Sequence, residues 1–297
     1  MDCLNLKSEI IKRNKALIEL IRGFGEADPG SEHAFDVSDD PLGSAEFLLN
    51  MVETNRSVFS AEHWHSLRSD GNEPAELLLR IQDDSGKAVA PYPFVMACYN
   101  QGLTLQLDVL LLLAALHHYA SVLRDHGERQ VSVNLSAKFF EARNIDALQI
   151  VLDVLERLNL QADIGEAIIF GIHESSASSG IDPAVLEMFS KRGVKFAMDD
   201  VVMNAQDVLR FSGFRHFTDF VKLDRSFLQN ESDPLFFGGM IDFIRTNAPG
   251  SRIVAEGVQD SNHARRLHEA YRHIEFVQGR YLPDRQTFAK EWRGVGT

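Results

Sequence analysis

The stretch VKFAMDDVVMN, Val194–Asn204, sets two adjacent aspartates between apolar runs. Two like charges placed there raise each other's pKa and resist desolvation unless a cation or hydrogen-bond donors hold them. Taken alone, the pair reads as a helix N-cap beside a surface aspartate. Its surroundings change that reading, because VKFAMDD is one of a series. Strand-like runs recur at VFSAEHWHSL (58–67), AELLLRI (75–81), QVSVNLS (130–136), AIIFGI (167–172), VKFAMDD (194–200), DFVKLD (219–224), RIVAEG (252–257) and EFVQG (275–279). Helical patterns fall between most of them, at 107–123, 146–158, 183–193, 205–213, 233–247 and 262–272. Short strands alternating with helices predict an α/β fold, a TIM-like eight-stranded (β/α) barrel. An open doubly wound sheet is the alternative, but no glycine-rich phosphate turn follows an early strand.

The 297 residues suffice for one such barrel with an extension. Residues 1–43 read as an N-terminal helical extension and linker. Ile10, Ile11, Leu17, Ile18 and Ile21 recur at roughly helical spacing, and an Asp-, Gly-, Ser- and Pro-rich stretch follows. Residues 44–297 form the barrel domain, opening on a helix with Ser44 as its N-cap.

A net charge of −13 argues against DNA or RNA as a general partner and against adhesion to anionic membranes. A small anionic ligand would need local cations or a metal. Cys3 and Cys98 supply no disulfide framework and no zinc spacing. With no signal peptide at the N-terminus, a cytoplasmic location is expected. The longest apolar run, VLLLLAAL (109–116), is too short to span a bilayer and reads as a buried helix. The histidines at 63 and 65, 117 and 118, and 263, 268 and 273 have no zinc-site spacing and read as ordinary core or surface residues.

In a barrel of this kind, polar residues at the C-terminal strand ends converge on one face. Those ends carry Asn134, Asp199, Asp200, Lys222, Asp224, Glu256 and Gln278, and the second strand adds Glu76 and Arg80 on one face. Carboxylates, an amide oxygen and a lysine in one cup fit oxygen ligation of Mg²⁺ or Mn²⁺ beside a phosphate ester.

In order, ELLLR (76–80), VNLSA (133–137), HES (173–175), AMDD (197–200), VKLDRSF (221–227), VAEGV (254–258) and QG (278–279) resemble the EAL domain, the cyclic di-GMP phosphodiesterase fold of bacteria. The resemblance runs from about residue 59 to 292. It implies metal ligation by Glu76, Asn134, Asp199 and Asp200, although the signature reads ELL and not EAL. It implies phosphate contact by Arg80, and a lysine, Lys222, near the attacking water and the phosphate. Glu256 would act as general base, while Asp224 and Gln278 would complete the ligand-binding set. In active members two divalent ions would lower the pKa of a bridging water, which attacks one phosphodiester in line and yields pGpG.

The sequence also departs from the family. Where the family reads approximately LEITES, this chain reads FGIHES: the metal-ligating glutamate becomes Gly171, while the loop-bracing glutamate remains as Glu174. His173 is expected to point away from the vacated position. DDFGTG becomes DDVVMN, whose bulky residues disfavour positive φ. Gln259 replaces the last glutamate of AEGVE, and Glu62–Trp64 stand near the family's YQP. Loss of a ligating carboxylate weakens any Mg or Mn site by at least the 10–100-fold typical of second-shell losses. The expectation is a degenerate EAL domain acting as a cyclic di-GMP receptor or regulator, catalytically inactive or very weak. An unidentified protein partner would read its state, and homodimerisation is compatible with it. The alternatives are a nucleotide-independent interaction scaffold and a slow metal-dependent phosphodiesterase giving pGpG.

Overall fold

Strands of a parallel barrel are covered on both faces, so their sequences run almost unbroken in apolar residues. The computed structural model of the chain describes residues 57–68, 73–82, 88–89, 104–118, 130–145, 167–172, 180–231 and 233–284, with single positions between and beyond them. The extension expected over residues 1–43, its boundary at 44, and Glu174 and His173 lie outside the described residues. Two compact units divide the chain, residues 1–59 with 79–114 and residues 60–78 with 115–297.

The described elements, in chain order, are strands β1 (Ser57–His63), β2 (His65–Ser66), β3 (Ala75–Gln82) and β4 (Ala88–Val89), helix α1 (Thr104–His118), and strands β5 (Val131–Leu135) and β6 (Ile168–Ile172). Then follow α2 (Pro183–Ser190), β7 (Lys195–Val201), α3 (Ala205–Phe214), β8 (Thr218–Leu223), α4 (Pro234–Asn247), β9 (Arg252–Glu256), α5 (Ser261–Ala270) and β10 (Ile274–Gln278). Each predicted strand is present. The helix predicted over 146–158 falls mostly outside the described residues. In the unit holding residues 79–114, β4 pairs antiparallel with the end of β3. The apolar run of α1 buries Leu107, Val109 and Leu112, as a core helix should.

The larger unit is the barrel. Its strand order is β1-β3-β5-β6-β7-β8-β9-β10-β2. Neighbours from β3 to β10 along this order are parallel, while β2 runs antiparallel to β10. The two ends of that order, β1 and β2, are consecutive pieces of one stretch separated only by Trp64. Trp64 N–H donates to the carbonyl of Pro74 at 2.8 Å, and Leu67 N–H donates to that of Glu275 at 2.8 Å. The chain thus changes partner at Trp64 and nearly closes the ring on itself, leaving eight staves.

Side chains alternate along each stave. Trp64, Ile169, Ala197, Phe220, Val254 and Phe276 point inward and form one buried layer. Trp64 packs edge-on to Phe220 at 5.2 Å between ring centroids. Outside the barrel wall, Phe139, Phe140, Phe170, Phe189 and Phe196 form a second aromatic cluster. Helices α2 and α4 start on aspartate caps: Asp182 accepts the Ala184 N–H at 2.7 Å and Asp233 that of Phe236 at 3.1 Å, each followed by proline.

Candidate functional site

The next inward position along each stave, two residues beyond the buried layer, carries the polar set. Ile169 is followed by Gly171, Ala197 by Asp199, Phe220 by Lys222, Val254 by Glu256 and Phe276 by Gln278. On the opposite-running first stave the equivalent of Trp64's next position is Glu62. Glu76 of β3 and Asn134 of β5 complete the cup.

Lys222 is its centre. Its ammonium lies 2.7 Å from Asp199 Oδ1, 2.6 Å from Glu256 Oε1 and 3.2 Å from Glu76 Oε2. It is 1% exposed and sits 5.7 Å above the Trp64 ring, which floors the cup. Glu76 accepts from Asn134 Nδ2 at 2.8 Å and from Gln278 Nε2 at 2.5 Å, and Gln278 also reaches Glu62 at 3.4 Å. Glu62 is a member of the cup that the sequence pattern did not single out.

Adjacent strand residues ordinarily face opposite ways. Asp199 and Asp200 nevertheless point to the same region, because the β7–β8 register shifts between Met198 and Val201 and Asp200 has φ 52°. Aspartate tolerates this left-handed conformation better than a β-branched residue. Carboxylate oxygens of Asp199, Asp200 and Glu256 lie within 4.8 Å of one another.

Charge is distributed unevenly among these groups. Burial pushes Lys222 toward the neutral form, but Asp199, Glu76 and Glu256 outweigh it and hold its pKa well above the usual lysine value. Burial raises Glu76, yet Lys222 and the amides of Gln278 and Asn134 bring it below the ordinary carboxylate range. Asp199 is raised by burial, against the pull of Lys222 and with help from Glu76 and Asp200. Glu256 is pushed up to about 8 by burial, with Lys222 opposing and Asp199 and Glu76 adding to the rise. At neutral pH the cup therefore holds its negative charge with one ammonium and a proton on Glu256.

The residues present fit a hard divalent cation. Asp199, Asp200 and Glu256 offer clustered carboxylate oxygens, and the buried Asn134 Oδ1 and Gln278 Oε1 have no hydrogen-bond partner. Orphaned buried acceptors call for a donor or a cation, and an all-oxygen set suits Mg²⁺ or Mn²⁺. Gly171 contributes nothing to this set. A Cβ added there would lie 2.3 Å from Asn134 Oδ1, so the space of the missing side chain is filled by the neighbouring amide.

Asp224 and Arg80 make contacts of their own. Asp224, just past β8, accepts the Ser226 N–H at 2.7 Å and shapes the following turn. Arg80 belongs to the unit holding residues 79–114, half-buried, with its guanidinium on the carbonyl of Leu79 at 2.9 Å. The expectation that DDVVMN avoids positive φ is not met: Met203 has φ 63°. Three main-chain N–H groups of that turn, from Val202, Met203 and Asn204, converge on one oxygen of Asp207 at 3.0, 2.7 and 3.2 Å, and this offsets the strain. Glycines 257 and 279 follow Glu256 and Gln278 for a steric reason. At Gly279 an added Cβ would sit 1.9 Å from the Val258 carbonyl oxygen, and at Gly257, with φ 72°, 2.6 Å from Arg225.

Fold and cup together define a near-closed α/β barrel with an acidic, lysine-centred site at the strand ends. A sequence profile of the EAL domain matches residues 46–284, and the chain belongs to the EAL domain family. Among solved structures it is similar to the FimX EAL domain from Pseudomonas aeruginosa bound to c-di-GMP, with 21% identity, a TM-score of 0.61, and coverage of 80% of this chain and 94% of that one. It is also similar to the PaMucR phosphodiesterase in its c-di-GMP complex, with 21% identity, a TM-score of 0.61, and coverage of 83% and 100%. The FimX EAL domain from Xanthomonas citri in complex with c-di-GMP matches at 17% identity and a TM-score of 0.61, covering 80% of this chain and 91% of that one. At such identities the likeness establishes the fold. No described helix is long and apolar enough to cross a membrane.

Proposed function

We propose that this chain is a cytoplasmic cyclic di-GMP receptor of the EAL family whose hydrolysis is lost or very weak. One observation carries the reading: the ligand position on β6 is Gly171, and Asn134 Oδ1 already occupies the space a side chain there would need. The site keeps Lys222, Glu76, Asp199, Gln278 and Glu256 but lacks one carboxylate for a tightly held pair of metal ions. Lys222 and Gln278 would meet the phosphates and base edges of the nucleotide, with Arg80 and Asp224 assigned to the same ligand. Mg²⁺ or Mn²⁺, where bound, would be held by Asp199, Asp200, Glu256 and Asn134, and would supply charge neutralisation beside the phosphate. A protein partner would read the occupied state, and a homodimer is compatible with the apolar side chains of Val208 and Leu209 exposed on α3.

Isothermal titration of the purified protein with cyclic di-GMP, with and without Mg²⁺, tests the proposal. Binding without accumulation of pGpG is the expected result. No binding at tens of micromolar ligand would overturn it and favour a nucleotide-independent scaffold. The slow phosphodiesterase draws support from the Asp199, Asp200 and Glu256 cluster. Metal-dependent formation of pGpG, abolished by Glu256→Gln, would establish it instead.

A further inference from the structure

Asp207 and Arg210 are the most deeply buried ion pair outside the cup among the described residues, at 0% and 1% side-chain exposure. Neither belongs to the motifs that carry the family resemblance. Asp207 Oδ1 accepts from Arg210 Nη1 at 2.8 Å, and its Oδ2 takes the N–H groups of Val202, Met203 and Asn204. Asn204 Oδ1 in return accepts the Asp207 N–H at 3.0 Å, a reciprocal cap at the start of α3. Arg210 Nη2 donates to two strand-end carbonyls, Asp199 at 2.7 Å and Ile172 at 2.9 Å.

We infer that the Asp207–Arg210 pair is a positioning device that fixes the turn after β7 and holds Asp199 and Asp200 in their shared orientation. The physical case rests on where the contacts end. A buried ionised pair is tolerated only when its remaining hydrogen-bonding capacity is used. Here most of that capacity is spent on the main chain on both sides of Asp200, although the buried Arg210 Nε–H has no partner. One end anchors three consecutive amides of a turn that carries Met203 at φ 63°. The other end grips the carbonyl of Asp199 itself and ties it to β6 at Ile172, next to Gly171. The turn lacks the glycines that would let it adopt positive φ freely, so an outside clamp must hold it. The clamp also links the vacated position on β6 to the two aspartates on β7, since Arg210 bridges the ends of both strands.

The role of the aspartates as cation ligands rests on the proposed function; the positioning itself does not. The whole 297-residue chain and its Asp207→Asn, Asp207→Ala and Arg210→Gln variants are compared by amide hydrogen exchange and by titration with Mn²⁺ alone. Exchange at Asp200, Val202, Met203 and Asn204 is expected to quicken at least about tenfold in Asp207→Ala and Arg210→Gln, while β8 and β9 amides keep wild-type rates. Asp207→Asn, which retains an acceptor oxygen but not the charge, should fall between. Mn²⁺ affinity should drop about 10- to 100-fold in the same order. Unchanged exchange in the turn, or a rise spread evenly over the core strands, would overturn the inference, the latter by showing a role in general stability alone. If wild-type protein takes up no Mn²⁺, the reading of the cup as a cation site fails, and the exchange pattern by itself decides the positioning claim.

Discussion

Glu256 lies 2.6 Å from the Lys222 ammonium and yet keeps its proton up to about pH 8, because burial outweighs the attraction of that one cation. The Lys222 charge is shared with Asp199 and Glu76, whose own negative charges disfavour a further anion. The linkage has a definite sign. Between the ordinary carboxylate value of 4.5 and about 8, the folded protein holds a proton on Glu256 that the unfolded chain releases. Stability contributed by this group is therefore complete below about 4.5 and is lost as pH rises through about 8. Asp199, also raised, acts in the same direction, whereas Glu76 is lowered and acts only below its ordinary value. Glu256→Gln should flatten the fall in urea midpoint across that window. A variant whose midpoint declines as steeply as wild type would place the retained proton on another group. A cation entering the cup meets the same proton, so its affinity should rise with pH over this range.

At the scale of elements, the β5–β6 pair decides what a side chain at position 171 can do. Asn134 and Gly171 are direct register partners across those two parallel strands. Asn134 leans into the space above Gly171 and donates to Glu76. A methyl at 171 would have to push the amide aside and break a hydrogen bond to a charged group, a loss of about 1.5–3 kcal/mol. Gly171→Ala is expected to destabilise the protein by about that amount in urea unfolding, and by much less in an Asn134→Ala background. Additive effects of the two substitutions would show that the amide yields without cost. For the same reason Gly171→Glu adds a carboxylate only after displacing a retained one's partner, so it does not simply rebuild the family's site. The β7 element shows the complementary case, in which a register shift and one left-handed residue turn neighbouring aspartates to the same side.

At the scale of the whole molecule, the barrel closes through Trp64, where the first stave switches its pairing from β3 to β10. Trp64 is fully buried, contacts Phe220 and Phe276, and lies beneath Lys222. Trp64→Ala should cost about 3–5 kcal/mol by chemical denaturation, with Trp64→Phe recovering part of it. A loss below about 1 kcal/mol, the level of an ordinary surface change, would mean that closure depends little on this side chain. The strands themselves were legible in the sequence, because residues covered on both faces must be apolar and stave ends must be polar. That regularity also exposed Asn134, Asp199, Lys222, Glu256 and Gln278 near the C-terminal ends of their strands, whereas Glu76 lies near the start of β3. Glu62, noted only for its place near the family's YQP, was not recognised as part of the cup because the first stave runs against the others, so its cup residue precedes its core residue. Asp207 and Arg210 escaped because an N-x-x-D cap beginning at Asn204 announces a helix start and nothing more. The sequence by itself determined the strand rhythm and the residue types of the cup, since these follow from local alternation and chemistry, and the resemblance to the family pointed to Gly171 as the position where a carboxylate is expected. Only the tertiary structure decided that Asn134 fills the space beside Gly171, that Lys222 sits among three carboxyl groups, and that a buried pair on α3 binds the turn. Those facts depend on distances between side chains from different strands, and no local pattern records them.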